Sequence, residues 1–317
     1  MKKLLIALAI AILSQEVAAE PSTTRLIVPY PPGGATDAVA RAYAEVMRRS
    51  LNRIVIVENR PGAGGLVGAM SVAKNSPADG SVILLGNIAI NVLAAYTYRK
   101  LPFDPVMDLA PVSLLAKFDL GFAVGPSIPA RNLREFIAWA KANPGKSSFG
   151  SPAAGSLPHF FGLMLAQATG IELLHVPYKG TQQMTNDLLG GRLPSVATVA
   201  ADLAPLHRAG HIRILATSGG ERARSTPDVP TFRESGFPSI RGTSWWAVFA
   251  PAATPAEEIE RLSRAVRDAG ADAQVRKVVE GIGTELAVNT PEDMAKLLAA
   301  ERERWAPVVK VSGFTAD

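Results

Sequence analysis

The sequence predicts an α/β protein of two lobes, each a doubly wound α/β domain, joined by two crossing strands with a ligand cleft between. Three observations carry this expectation. Short apolar strands alternate with helical segments in two separate series, the order that builds a parallel sheet covered on both faces. A chain of 317 residues, 48% of them hydrophobic, exceeds the usual single core and has ample apolar surface to bury. Strand-like segments at Phe122-Ala123-Val124 and at Trp245 to Phe249 stand where the chain would leave the first unit and return to it. Lobe 1 is therefore expected at 20–122 plus 245–317 and lobe 2 at 123–244. The alternative is two sequential domains divided near residue 125.

The first series opens with Leu26-Ile27-Val28, a short buried strand running into Pro29-Tyr30-Pro31-Pro32-Gly33-Gly34. A helix follows from Thr36, where Val39, Tyr43, Val46 and Met47 recur at helical spacing. Thr36 suits the N-cap, and Asp37 in the first turn suits the positive end of the helix dipole. Ile54 to Val57 is the second strand, the turn Pro61-Gly62-Ala63-Gly64-Gly65 opens a second helix ending near Lys74, and Val82 to Leu85 is the third strand. The second series reads Ser147 to Gly150 (strand), Leu157 to Thr169 (helix), Leu173 to Val176 (strand) and Thr181 to Leu189 (helix). Strands near Val196 and from Ile212 to Thr217 complete it. Helices near Glu257 to Ala269 and Pro291 to Val309 are expected to pack back on the first unit. No short sequence repeat links the two series, so they are structural siblings only.

Lys2 and Lys3, the apolar run Leu4 to Leu13 and the small residues of Val17-Ala18-Ala19 have the order of a secretory signal cleaved after Ala19. The run falls short of the roughly 20 apolar residues that span a bilayer. Residues 1–19 are therefore expected to be removed, leaving a soluble protein in the periplasm. Cysteine is absent, which excludes disulfides, thiolate metal sites and a cysteine nucleophile. The net charge of +5 is scattered, without the basic and aromatic clustering of a nucleic-acid surface. No nucleic-acid partner is expected, and a monomer suits a protein that closes on a ligand.

Ligands of open parallel sheets bind beyond the carboxyl ends of strands, where loops meet helix N-termini. Two loops have that placement, Pro31 to Asp37 and Gly150 to His159. Glycines in the first let the backbone approach a ligand, and free N–H groups at the helix start can receive an anion. The same glycines also suit a plain tight turn, and no lysine follows them as in a nucleotide P-loop. In the second loop Ser151 and Ser156 can donate to carboxylate oxygens, so two opposed helix N-termini would suit a dicarboxylate.

Catalytic signals are weak. No G-x-S-x-G elbow is present. His207 and His211 lack the intervening glutamate of a zinc-binding helix, and Gly210 breaks the helix, so they read as surface residues and no metal is expected. His159, early in a helix, reads as structural or as a lining group of the cleft. Asp37 in a first turn would be a poor base, and its expected job is to fix the loop. Trp245 and Trp246 read as core or hinge aromatics, with one ring able to face a ligand. Glu301 to Arg304 reads as a solvated helix face.

In order along the chain stand PYPPGGATDAVAR, VENRPGAGG, ADG, FGSPAAGSLPH, HVPYKG, LLGGRL, ATSGGERARSTPDVPTFRESG and WWAVFAPAATP. Together, from Arg25 to about Trp305, these segments closely resemble the Bug-type receptors of tripartite tricarboxylate transporters. The resemblance implies a two-lobed, type II-like periplasmic solute-binding protein without cofactor or metal. Such a receptor closes on a small carboxylate and delivers it to one large and one small membrane subunit. The resemblance further implies that backbone amides of the PPGG loop hold a carboxylate, at Gly33, Gly34, Ala35, Thr36 and Asp37. The second loop then contributes Ser151, Ala154, Gly155 and Ser156 with His159 close by, and the VPYKG segment Tyr178, Lys179 and Gly180. Asn87, just past the third strand, with Thr198 and Trp245, completes the expected ligand-binding set.

One departure bears on specificity. Where the family commonly carries Phe-Asp-Asn after the LLGG segment, this chain reads Ala197-Thr198-Val199. Thr198 has no charge to pair with an ammonium, so a plain or aromatic carboxylate is expected rather than an acidic amino acid. Two other readings use the same cleft. One is a carboxylate sensor that presents its closed form to a membrane kinase. The other is a periplasmic hydrolase or isomerase, which requires a catalytic dyad within hydrogen-bond reach.

Overall fold

A computed structural model describes residues 22–316; the expected leader over 1–19 lies outside them. Strands β1 (Thr23–Val28), β2 (Ile54–Asn59) and β3 (Val82–Asn87) alternate with helices α1 (Ala35–Leu51) and α2 (Leu66–Asn75). After a π turn (Ala89–Leu93) and the short α3 (Ala94–Thr97), the chain enters β4 (Leu109–Val124). The second series runs α4 (Leu133–Ala142), β5 (Ser148–Ser151), α5 (Leu157–Thr169), β6 (Leu174–Pro177), α6 (Thr181–Leu189), β7 (Ser195–Val199), α7 (Ala200–Arg208) and β8 (Arg213–Thr217). β9 (Thr243–Pro251), α8 (Ala256–Ala271), α9 (Ala273–Gly281), β10 (Glu285–Leu286) and α10 (Pro291–Ser312) follow.

The two halves of the sheet are built alike. β1 lies between its parallel neighbours β2 and β3, and β5 between β6 and β7. An antiparallel strand borders each trio, β9 beside β3 and β4 beside β7. The sheet is thus mixed rather than wholly parallel, because the crossing strands run against the units they join. β4 pairs with β9 from Leu109 to Asp119 and with β7 and β8 from Leu120 to Val124. One strand therefore hands its hydrogen bonds from one half to the other within a single residue step. In each half the chain leaves the central strand to one side and returns on the other, so the carboxyl ends of β1 and β5 are matching switch points.

Helix α1 forms where Val39, Tyr43, Val46 and Met47 recur on one face, and that stripe is buried with Leu262 and Val266 of α8. Fully burying an apolar side chain of this size contributes about 1.5–3 kcal/mol. Tyr43 stays satisfied inside by donating its hydroxyl to Leu115 O at 2.7 Å. The expected N-cap at Thr36 is corrected to Gly34, whose backbone is extended (φ −85°, ψ 174°) and which has no side-chain cap. The cap thus lies two residues earlier than expected, and it is Asp37, not Thr36, whose side chain turns back to the loop. Helix α10 lies across both halves, with Trp305 meeting Phe161 of α5 at 5.9 Å between ring centroids. Glu301 is buried and accepts the Trp305 indole N–H at 2.7 Å. The Glu301 to Arg304 run is therefore not a solvated face, since Glu301 and Trp305 stand one turn apart on the buried stripe. Among the described residues no helix is long and apolar enough to cross a membrane.

Candidate ligand-binding cleft

Gly33, in the loop after β1, adopts φ +86°, a conformation that favours glycine. Its N–H donates to Asp37 Oδ2 at 3.0 Å, and Asp37 also accepts from Arg41 Nε at 2.9 Å and Asn59 Nδ2 at 3.0 Å. Burial pushes the Asp37 carboxyl up, but the bonds from Arg41, Gly33 and Asn59 outweigh it and hold the group below the usual carboxylate range. The side chain is thereby used up within the loop. What the loop presents outward is backbone: Gly33, Gly34 and Ala35 are exposed, Thr36 is half-buried, and no side chain caps the start of α1. The N–H groups of Gly34, Ala35 and Thr36 are the donors an anion takes. Asn87 Nδ2 donates to the Tyr30 hydroxyl at 2.6 Å, which ties the end of β3 to the same loop. Burial pushes the Tyr30 hydroxyl up to about 12, with the Asn87 bond opposing it.

The second half repeats this device with different chemistry. Gly155 adopts φ +71°, and its N–H donates to His159 Nδ1 at 3.2 Å, the same four-residue reach that joins Gly33 to Asp37. Burial and the neighbouring His175 push His159 down to about 3, so the ring is neutral and its Nδ1 free to accept. His175 stacks on it with centroids 3.8 Å apart, and burial pushes His175 down to about 4. Ser151 and Ser156 both donate to Ala153 O, at 2.9 and 2.6 Å. A hydroxyl has one proton, so in this conformation neither serine donates outward as the sequence suggested. Ala154 is exposed and Ser156 is an N-cap that makes no side-chain cap bond, leaving backbone donors here as well.

Ser151 Oγ also lies 2.8 Å from His175 Nε2, a contact that resembles a nucleophile with its base. Its hydroxyl also meets Ala153 O at 2.9 Å, and its one proton serves only one of these two partners. Ser151 is fully buried, which denies it the access to substrate that a nucleophile needs.

The remaining expected residues divide. Tyr178 donates its hydroxyl to Asp187 Oδ2 at 2.9 Å and so braces α6. The N–H groups of Tyr178 and Gly180 donate to Ser151 O and Pro152 O, holding the VPYKG turn beside the second loop with Lys179 exposed. Thr198 is fully buried on β7 opposite Gly121, and its Oγ1 has no partner. Successive residues of a strand face opposite ways, and both tryptophans are core: Trp245 packs on Phe249 at 6.3 Å and Trp246 on Phe118 at 4.5 Å. The Trp245 indole N–H has no partner. His207 is half-buried rather than on the surface, because its Nδ1 accepts the Ile214 N–H at 3.3 Å and its Nε2 meets Asp228 at 3.0 Å.

A cavity of about 580 Å³ has Gly33, Gly34 and Ala35 on one wall and Ala201, Asp202 and Arg208 of α7 on another. The wall opposite the first loop is thus the helix that follows β7, and sequence reasoning missed it. Pro205 inside α7 disguises it as a turn, although a helix is due after a strand in such a unit. The halves touch at the edge of this cavity: a Cβ on Gly283 would lie 2.7 Å from Ala201 Cβ. Arg224 faces Glu280 at 3.8 Å across the same seam.

Sibling α/β halves, two crossing strands and a loop of bare backbone donors facing an intervening cavity define a two-lobed solute-binding protein. Residues 39–314 match the TctC family, the tripartite tricarboxylate transporter family receptors. The chain belongs to that family, one of periplasmic solute-binding proteins. It is 34% identical over 296 residues to protein BugT of Bordetella pertussis (strain Tohama I), covering 91% of this chain and 89% of that one. It is also 34% identical over 284 residues to a protein from the tcbD-tcbE intergenic region of Pseudomonas sp. (strain P51), covering 89% and 84%. Among solved structures, the periplasmic binding protein BugD superposes with a TM-score of 0.80 at 30% identity, covering 92% of this chain and 98% of BugD. Rpa4515 of R. palustris, with adipate, gives 0.83 at 32% identity over 92% and 98%. MatC of Rhodopseudomonas palustris, with bound malate, gives 0.80 at 28% identity over 90% and 98%.

Proposed function

We propose that this protein captures a small organic carboxylate in the periplasm by closure of two lobes, 20–122 plus 245–317 and 123–244. It then delivers the ligand to the large and small membrane subunits of a tripartite tricarboxylate-type transporter. It works without catalysis, cofactor or metal. The observation that carries this reading is the first loop, whose carboxylate is committed to Gly33, Arg41 and Asn59 while Gly34, Ala35 and Thr36 keep N–H groups for a ligand. Adipate and malate in related structures support a carboxylate as cargo. The second loop (Ser151, Ala154, Gly155, Ser156, with His159) and the VPYKG turn lie outside the cavity at the first loop. Asn87 braces that loop through Tyr30, and α7, with Ala201, Asp202 and Arg208, is the surface that faces it. A ligand bridging both favours the closed state by its differential affinity for it.

The Ala197-Thr198-Val199 step carries no carboxylate, and Thr198 is fully buried with its Oγ1 closed to solvent, so this step gives an ammonium no counter-charge. Diacids such as malate or adipate are therefore bound more tightly than aspartate or glutamate, as competition by isothermal calorimetry reads directly. A preference for the amino acids would overturn this assignment.

A further inference from the structure

A second cavity, of about 470 Å³, opens where the chain returns between the halves, lined by Gly220, Arg241, Gly242 and Thr243 on one side and Glu303 and Arg304 on the other. It shares no residue with the cavity at the first loop. Arg304 Nη2 is closed to solvent and has no hydrogen-bond partner. The guanidinium packs over the Trp305 ring at 5.2 Å and against Gly242, where a Cβ would stand 3.1 Å from Nη2. Arg241 is close enough to repel it; burial and this repulsion lower the proton affinity of Arg304, with Glu301 opposing them. Glu301 offsets this charge by more than Arg241 adds to it, but no carboxylate supplies the missing hydrogen bond to Nη2. Glu301 is turned inward to the Trp305 indole, and Glu303 is exposed at the rim. A buried guanidinium donor left unmet, with a second, exposed guanidinium lining the same cavity, calls for an acceptor there.

We propose that this is an anion site distinct from the cargo cleft: a small multivalent oxyanion, of phosphate or tricarboxylate type, seats between Arg241 and Arg304. Guanidinium forks match the oxygen spacing of both chemistries. Arg241 stands two residues before the crossing strand β9, and Arg304 lies on α10, so the anion ties the return crossover to the C-terminal helix.

The test is a thermal-shift titration of the chain from Glu20 onward with inorganic phosphate and, in a separate arm, citrate, at constant ionic strength. The expected result is saturable stabilisation that weakens about tenfold or more in apparent affinity in Arg304→Gln and in Arg241→Gln. Arg241 is exposed, so its variant folds even where Arg304→Gln disturbs the Trp305 contact. The arm that saturates at lower concentration names the source of the oxyanion. Citrate also enters the cargo cleft if it is the cargo, so its contribution here is the part lost in Arg241→Gln. Absence of saturable stabilisation by either anion, or stabilisation unchanged in both variants, overturns the proposal. Neither outcome bears on the cargo cleft, because the two cavities share no residue.

Discussion

Asp37 and His159 occupy the same place in the two halves, each accepting the N–H of a left-handed glycine four residues before it. One uses a carboxylate held ionised, the other an imidazole held neutral. Removing the first takes the acceptor from the Gly33 N–H and one of the two bonds of the half-buried Asn59 amide, whose other goes to Tyr30 O, and so loosens the loop. Asp37→Ala is therefore expected to bind its carboxylate at least about tenfold more weakly by calorimetry, with a lowered melting temperature. The imidazole gives a pH dependence. His159 titrates near 6.5 when unfolded and near 3 when folded, so the unfolded chain binds the extra proton between those values. Stability from this group is complete above pH 6.5 and is lost as the pH falls towards 3. At pH 5 the loss is roughly 2 kcal/mol. Gln at this position keeps an acceptor for Gly155 without titrating, so His159→Gln lessens the slope of the melting series between pH 6.5 and 5 and leaves the part due to His175, itself held down to about 4. The reading of Asp37 as a loop-fixing group rested on its place in a first turn, which sequence alone reveals. The Gly155–His159 match was hidden, because an aspartate and a histidine share no signature beyond spacing.

In the proposed closure, the crossing strand β4 carries the hinge. Its partners change between Asp119 and Leu120, and Asp119 Oδ1 is buried there without a partner. Burial and the nearby Glu285 push the Asp119 carboxyl up to about 6 from 3.8. A raised carboxyl contributes its stability below pH 3.8 and loses it as the pH rises through about 6. At neutral pH the native hinge thus bears a penalty of up to about 3 kcal/mol. Asp119→Asn is expected to raise the melting temperature at pH 7.5 and to leave it nearly unchanged at pH 4; an equal shift at both would contradict this origin. The elements with strong periodicity were legible: Leu157 to Thr169 and Thr181 to Leu189 are α5 and α6 to the residue. The long β4 was not, since only its last three residues, Phe122 to Val124, were read as the crossing. Pro111, Lys117 and Asp119 interrupt its apolar run, and two sets of strand partners override that local signal. Helix α7 was missed for Pro205, and α9 for lack of a strand before it.

At the scale of the whole molecule, two siblings with no visible sequence repeat share one sheet plan because the plan depends on strand order, not on side-chain identity. That order, and the first loop it aims at the gap, was readable from alternating strands and helices; the second loop was expected in the same gap, but no residue of it lines the cavity. The opposing wall was not, since α7 comes from a segment far along the chain that the fold carries to Gly33. In the proposed function a bridging carboxylate stabilises closure across this gap, where Gly283 meets Ala201 and Arg224 faces Glu280. The most direct test is isothermal calorimetry of the chain from Glu20 onward, in phosphate-free buffer, against malate, adipate, citrate, nicotinate, aspartate and glutamate. The account predicts one-to-one binding of a carboxylate without an ammonium group, weakened in Asp37→Ala. Heat from none of these acids, or binding indifferent to Asp37, would contradict it.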